Sequence, residues 1–244
     1  MPVNGRDPEL DTSRRFTEAQ KPRDSATLIV VRHDDNVPRV LLGQRHGSHA
    51  FMPNMFVFPG GRLDPADMRT KVTSDLHPLV HEKLMQRMRG RSSPSRARGL
   101  AIAAIRETYE ETGLLLGNIP EDARLQTEDW DAIIAAAELD LSTLRFFARA
   151  ITPPGRTRRF DSRFFVTNAA HIGNLDNPRH PGSGELLTPH WFSFAEAQEL
   201  ELPMITRDIL RRLQPLMEKE RDLPADQPVC FQYFKGKSWR EDML

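Results

Sequence analysis

The stretch from Leu100 to Leu115 constrains this chain more than any other, because it asks three carboxylates to share one side of a helix. Its centre reads Arg106-Glu107-Thr108-Tyr109-Glu110-Glu111-Thr112-Gly113-Leu114. In an α-helix Glu107, Glu110 and Glu111 fall at i, i+3 and i+4. At roughly 100° per residue, Glu111 lies about 40° from Glu107, and Glu110 about 60° to its other side. On an exposed helix such like charges repel by a few tenths of a kcal/mol per pair. A hard divalent cation, Mg²⁺ or Mn²⁺, would turn that repulsion into a ligand set, because it takes oxygen donors. The plain alternative is a solvated acidic face, the usual meaning of an isolated Glu-x-x-Glu-Glu. Arg106 can reach Glu110 at i+4, while Ala101, Ala104, Ile105, Thr108 and Thr112 supply a face for packing. Gly113 is placed to end the helix.

Composition narrows the class. The 244 residues are 39% hydrophobic and 28% charged, which suits a globular chain able to bury a core. Lys+Arg and Asp+Glu stand equal at 34 each, so no global field recruits nucleic acid or an anionic membrane. The single cysteine, Cys230, excludes an internal disulfide and fits a reducing interior. It reads as a small buried apolar residue rather than a nucleophile. The N-terminus carries Asn4, Arg6, Asp7 and Glu9 without an apolar stretch, and no run approaches the ~20 residues of a membrane span. The expected location is the cytoplasm.

Along the chain, residues 1–24 are polar and Arg-rich and read as a loosely ordered arm. Ala26–Arg32 is a β-branched strand, Asp34-Asp35-Asn36 a turn, and Arg39–Arg45 its hairpin partner. His46–Asn54 reads as a loop. Met55–Phe58 is a short strand delivering the Phe58-Pro59-Gly60-Gly61 turn, where glycine permits close backbone approach. The spacing predicts a helix over Leu76–Met88 with Leu79, Val80, Leu84 and Met88 along one side. His77 and His81 there have metal-pair spacing, with Glu82 adjacent, but no third ligand follows, so solvated or capping histidines are expected. Arg87–Arg98 is basic and reads as a flexible loop, although it could reach over a polyphosphate. Thr127–Glu138 reads as a capped helix with Ile133, Ile134 and Ala137 inward. Leu144–Ile151 and Arg159–Thr167 are strands joined by a Pro153-Pro154-Gly155 turn, followed by a polar loop over 171–184. Glu185–Trp191 is a further strand, and Ser193 caps a helix over Phe194–Leu200. A last helix spans Met204–Met217 with Ile205, Ile209, Leu210, Leu213 and Leu216 inward. Residues 219–244 read as a charged, proline-broken tail.

Taken with the glycine turn, the 106–114 segment resembles the box of the Nudix hydrolase family: Gly, five residues, Glu, seven residues, then Arg-Glu-hydrophobe-x-Glu-Glu-x-Gly-hydrophobe. Gly61 matches the first glycine. The fifth-residue count lands on Asp67 instead of Glu, and the Arg expected at position 75 comes at 106. The box is therefore split by an insertion at about 68–98. Leu41-Leu42-Gly43-Gln44-Arg45, Phe51–Gly61, Thr152-Pro153, Arg159–Phe165 and Glu185 with Trp191 resemble the split-box branch, which includes peroxisomal coenzyme A diphosphatases. The resemblance implies an α/β fold, a Nudix α/β/α sandwich with a mixed central sheet and a helical insertion, in one domain over 25–218.

It also implies a hydrolase of a nucleoside diphosphate linked to another moiety, with coenzyme A or acyl-coenzyme A favoured. Alternatives are an ADP-ribose or dinucleotide pyrophosphatase, or a non-catalytic nucleotide-sensing module. On that footing Glu107, Glu110 and Glu111, with a carbonyl from Gly60 or Gly61, hold Mg²⁺ or Mn²⁺. Arg106 keeps the glutamates in register and Asp67 supports from behind. Glu185 is the candidate general base, while Arg45, Arg159, Gly60 and Phe58 are candidates for substrate contact. The implied partners are a small-molecule nucleotide substrate and, as for many members, a second copy in a homodimer; no nucleic acid and no membrane are expected.

Overall fold

A run of β-branched residues starts the architecture and everything else is laid against it. In the computed structural model, residues 20–47, 54–118, 130–156, 158–178, 182–236 and 238–244 are described. Strand β1 (Arg23–Asp34) turns back into β2 (Val37–Arg45) through Asp35 and Asn36, both at positive φ (49° and 66°). Short polar Asp and Asn tolerate that region, and the paired positive φ values match the twist of a two-residue hairpin. Two short strands follow, β3 (Phe56–Val57) and β4 (Gly60–Arg62), then a 3₁₀ turn at Asp67–Arg69. Next come helices α1 (Pro78–Met85), α2 (Pro94–Thr112) and α3 (Trp130–Ala136). Strands β5 (Arg145–Ile151), β6 (Phe160–Asn168) and β7 (Leu186–Ser193) precede helices α4 (Phe194–Gln198) and α5 (Met204–Met217). The chain closes with β8 (Cys230–Lys235) and β9 (Ser238–Met243).

These strands make one mixed sheet in the order β3-β2-β1-β6-β5-β8-β9, with β4 added to β1 and β7 to β2. β1 runs parallel to β6 and β8 parallel to β5; the other pairs are antiparallel. Because side chains alternate across a strand, β1 feeds both faces. Ala26, Leu28 and Val30 pack under α2 with Leu100, Ile102 and Ile105, whereas Ile29 and Val31 pack on the other side with Ile209, Leu210 and Leu213 of α5. Two apolar layers either side of one mixed sheet make this an α/β/α sandwich, as the sequence implied.

Several expectations change. The arm expected over 1–24 ends inside β1, where Arg23 and Asp24 pair with Phe160 and Asp161. Residues 219–244 do not all form a tail: Cys230–Met243 is a hairpin that extends the sheet beyond β5. Their alternating Phe231 and Tyr233 stack under the Arg87 guanidinium at 4.7 and 4.8 Å, a stabilisation that a charge count over the segment conceals. The basic stretch becomes helical from Pro94, capped by Ser93, because proline suits a first helical turn. Leu79 is 41% exposed, because within α1 the inward side is that of Val80 and Leu84. Ile205 and Leu216 are only half-buried; Met217 takes the inward position instead. The expected cap Thr127, most of the loop 46–54 and residues 1–19 lie outside the described residues. No helix among the described residues is long and apolar enough to cross a membrane.

The insertion is fastened to the sheet by buried charge. Arg149 grips Asp161 with two parallel bonds of 2.8 Å, both side chains 1% exposed. Its remaining Nη1 donates to the carbonyls of Gln86 and Arg87 just past α1, completing orphan acceptors at a helix end. Arg163 donates to Asp24, and Asp24 in turn accepts from Arg96 in the first turn of α2. Removing one partner of such a set leaves a desolvated charge. Asp161→Ala should therefore destabilise by about 3–5 kcal/mol in urea unfolding, whereas the paired replacement Arg149→Met with Asp161→Leu should recover most of it. Equal losses for both variants would show that the ion pair is not what holds this junction.

Candidate active site

The site forms where the last turns of α2 meet β4. Gly60 and Gly61 pair with Thr27 and Ala26 of β1, which carries the turn directly beneath the helix. A Cβ on Gly60 would stand 2.5 Å from the Ala26 carbonyl oxygen, so only glycine fits against that backbone. A Cβ on Gly61 would stand 2.2–2.3 Å from the Glu107 carboxyl group. The Gly60 N–H donates to Oε2 of Glu111 at 3.0 Å, aiming that carboxylate at the turn. Gly113, at φ 72°, ends the helix as expected and bonds back to Tyr109.

Arg106 is the hub of the cluster. It donates through Nε and Nη2 to both oxygens of Asp67 (2.9 and 3.2 Å), through Nη1 to Glu107 and Glu110 (3.0 Å each), and to the carbonyl of Arg62 (2.9 Å). Asp67 is 1% exposed and its second oxygen also accepts from the Asp64 N–H. Burial works against the guanidinium's charge, but the Asp67 bond and the surrounding carboxylates outweigh it and hold its pKa above the usual value. A guanidinium with all faces bonded is a rigid spacer.

Glu185 reaches the cluster through a device that no sequence pattern announced. The Ser183 N–H donates to the Glu110 carbonyl at 2.8 Å, and Gly182 sits so close that a Cβ would lie 2.1 Å from the Glu111 carbonyl. This loop docks on the helix end, and the exposed Glu185 enters the electrostatic surroundings of Glu107 and Glu111. Arg45 pairs with Leu186 across β2 and β7, which places its charge there too. Asn174 likewise escaped notice: it donates to the Gly113 carbonyl at 2.7 Å and accepts from Leu115, tying down the helix end. The Gly-Ser-Gly run at 182–184 was the local hint of the docked loop; Asn174 had none.

Electrostatics sort the carboxylates. Glu111 is 3% exposed, and burial first, then Glu107 and Glu185, push its pKa up to about 8 against the pull of the Gly60 N–H and Arg45. Burial also raises Glu107, less so because Arg106 opposes it. Glu110 is 40% exposed and held by Arg106. Among the described residues no three His, Cys, Asp or Glu side chains already converge as a chelate. The donor chemistry nevertheless fits a hard divalent cation: carboxylate oxygens in excess of the cationic groups facing them, beside a glycine turn whose Gly60 lies at a ladder position that does not bond to β1.

Two expected contacts fall elsewhere. Phe58 is 4% exposed and packs in the layer under α4 and α5, so its ring has no face to offer a substrate. Arg159 donates to the carbonyls of Thr152 and Gln20 and lies beside Arg89 of the insertion, apart from the glutamates. His77 caps α1 by accepting from Leu79, in line with the capping expectation.

No protein-family model matches the chain. A stretch of 122 residues, 43% of this chain, is 33% identical to acyl-coenzyme A diphosphatase NUDT19 of Xenopus laevis and covers 31% of that relative. The chain thus spans less than a third of that protein's length. The crystal structure of a NUDIX hydrolase from Alicyclobacillus acidocaldarius superposes with a TM-score of 0.60 at 27% identity, covering 84% of this chain and 99% of the other. In fold, and over that stretch in sequence, the chain is similar to Nudix hydrolases. The two halves of the box-like pattern meet through Asp67 and Arg106, 39 positions apart in sequence.

The two glycines should fail differently. Gly61→Ala displaces only the flexible end of Glu107, so activity should fall steeply while the melting temperature moves little. Gly60→Ala strikes backbone and should lower the melting temperature as well; equal melting temperatures in differential scanning would refute the distinction. In chelator, the folded Glu111 carboxyl binds its proton more tightly than the unfolded one, whose pKa is 4.5. Its contribution is therefore complete below pH 4.5 and fades as pH rises through about 8. Glu111→Gln should accordingly be more stable than the parent at pH 9 and indistinguishable at pH 4; an equal gain at both would reject the burial argument. Adding Mg²⁺ at pH 8 should raise the parent's melting temperature and not the variant's.

Proposed function

We propose that this chain is a metal-dependent pyrophosphohydrolase that cleaves the diphosphate bridge of a nucleoside diphosphate linked to another moiety, coenzyme A or acyl-coenzyme A being the favoured substrate. The observation that carries the reading is a buried Glu111 carboxylate aimed by a glycine turn, with Glu107, Glu185 and Arg45 gathered round it. The coenzyme A preference draws on the split box and on the partial match to an acyl-coenzyme A diphosphatase.

Glu107 and Glu111, helped by Glu110 and a carbonyl of Gly60 or Gly61, would hold Mg²⁺ or Mn²⁺, which screens the bridge charge and lowers the pKa of a water bound to it. Arg106 keeps Glu107 and Glu110 in place, and Asp67 keeps Arg106 in place, so the donors need little reorganisation. Arg45 offers a fork for phosphate oxygens at the edge of β2. Glu185, on an exposed loop, takes a proton from water as its oxygen bonds to one phosphorus and the bridging oxygen leaves with the other phosphate. We take the catalytic domain to run from β1 through β9, since the last hairpin is part of the sheet. A cytoplasmic location belongs to the same proposal, and the single free Cys230 agrees with a reducing interior.

Incubating the protein with Mg²⁺ and a panel of diphosphates, with product chromatography, tests this reading. Coenzyme A should yield 3′,5′-ADP and 4′-phosphopantetheine. Intact coenzyme A beside rapid loss of ADP-ribose would move the substrate to the ADP-ribose class. Calorimetric binding without any product would make the chain a sensing module. Glu185→Gln should lower kcat by about a hundred-fold with KM little changed, the range for losing a general base.

A further inference from the structure

The sheet ends at β9, whose outer edge carries backbone groups that β8 does not take up. Leu244 and Val229 exchange hydrogen bonds in both directions (3.0 and 3.3 Å), and the β8–β9 register continues without a bulge through Asp242–Phe231, Arg240–Tyr233 and Ser238–Lys235. In an antiparallel ladder such pairs alternate. The even-numbered residues of β9 therefore turn their N–H and C=O toward β8, and Trp239, Glu241 and Met243 turn theirs outward. Among the described residues no element covers that edge, and β9 itself has no proline, bulge or lysine, three of the devices that keep edge strands apart; its charges are Arg240, Glu241 and Asp242. Trp239 and Met243 are 52% and 58% exposed.

We propose that β9 pairs antiparallel with β9 of a second copy of this chain about a two-fold axis at Glu241, joining two sheets into one. The sequence is self-complementary in that register and in no neighbouring one. Residues facing each other across an antiparallel pair share a face of the sheet, so a strand can pair with itself only about a residue, never between two. Centring on Glu241 sets Trp239 opposite Met243 of the second copy, apolar on apolar, twice. It sets Arg240 opposite Asp242 of the second copy, opposite charges, also twice. Among the described residues Arg240 has no ion-pair partner of its own. Asp242 already accepts from Arg87 and from the Tyr233 hydroxyl at 3.0 Å, which orders its carboxylate without filling both oxygens. The one like-charged meeting, Glu241 with its copy, is offset because each Glu241 is forked by Arg212 at 2.8 and 3.2 Å and accepts from Gln232. Centring on Arg240 instead would set arginine on arginine and Trp239 on Glu241.

The contact is a single strand pair, well below a standard interface, so the dimer should dissociate within the concentration range of sedimentation. Sedimentation equilibrium of the full chain should give twice the chain mass at high concentration. Trp239→Pro removes an outward N–H without touching a β8 bond and should leave a monomer, as should Arg240→Asp. Amide exchange at Glu241 and Met243 should be slow in the parent at high concentration and fast in both variants, with circular dichroism unchanged. A parent that stays monomeric, or a dimer that survives both variants with those amides still exchanging fast, overturns the proposal. Diphosphate hydrolysis by the monomeric variants stays at the parent's level whichever way this falls, so the two readings fail separately.

Discussion

Burying Glu111 beside other carboxylates is the strain around which this molecule is arranged. A carboxylate removed from water and facing like charges holds its proton to about pH 8, and only close, fixed dipoles or a cation can bring it back. The fold supplies the dipole by pressing a glycine turn against the helix until the Gly60 N–H meets Glu111 at 3.0 Å. That approach is possible because neither glycine has a Cβ, and because β4 is locked in register against β1. The same squeeze explains why α2 is long and its inner face small: Ala97, Ala101 and Ala104 let the helix lie close to the sheet, so that its last turns reach the glycines.

The second constraint is keeping the two halves of the site together across an insertion. Closing such a loop costs entropy that grows only slowly with its length, so a few good contacts suffice. Asp67 and Arg106 supply them next to the site, bonded at both oxygens. Farther away, Arg149, Asp161, Arg163, Asp24 and Arg96 bind the insertion helix, the start of α2 and three strands into one buried network. Buried networks of this kind hold geometry more than they add stability, which is what a site built from two separated segments requires. The closing hairpin adds to it, since Phe231 lies under Arg149 at 4.4 Å.

Much of this was readable before the fold. The hairpin at Asp35-Asn36, the inward stripe of α5, the cap at Ser193 and the glycine stop at Gly113 follow from local rules of turn chemistry and 3.6-residue spacing. The hairpin at the end of the chain was not readable, because its charges and prolines suggest a tail while its stabilisation comes from arginines donated by distant elements. Phe58 and Arg159 were misplaced for a related reason. Membership of a motif says which residues are near, but the pleat decides which face each side chain takes.

By itself the sequence determined that a helix would carry Glu107, Glu110 and Glu111 on one side and stop at Gly113, since spacing and capping act over a few residues. It also determined that a Gly-Gly turn would lie upstream and that strands would flank it. Only the tertiary structure decided that Glu111 is the carboxylate to be buried, that Asp67 meets Arg106, and that Glu185 and Arg45 join them. Those outcomes depend on which distant groups share a desolvated space, and desolvation belongs to the packed molecule rather than to any segment of it.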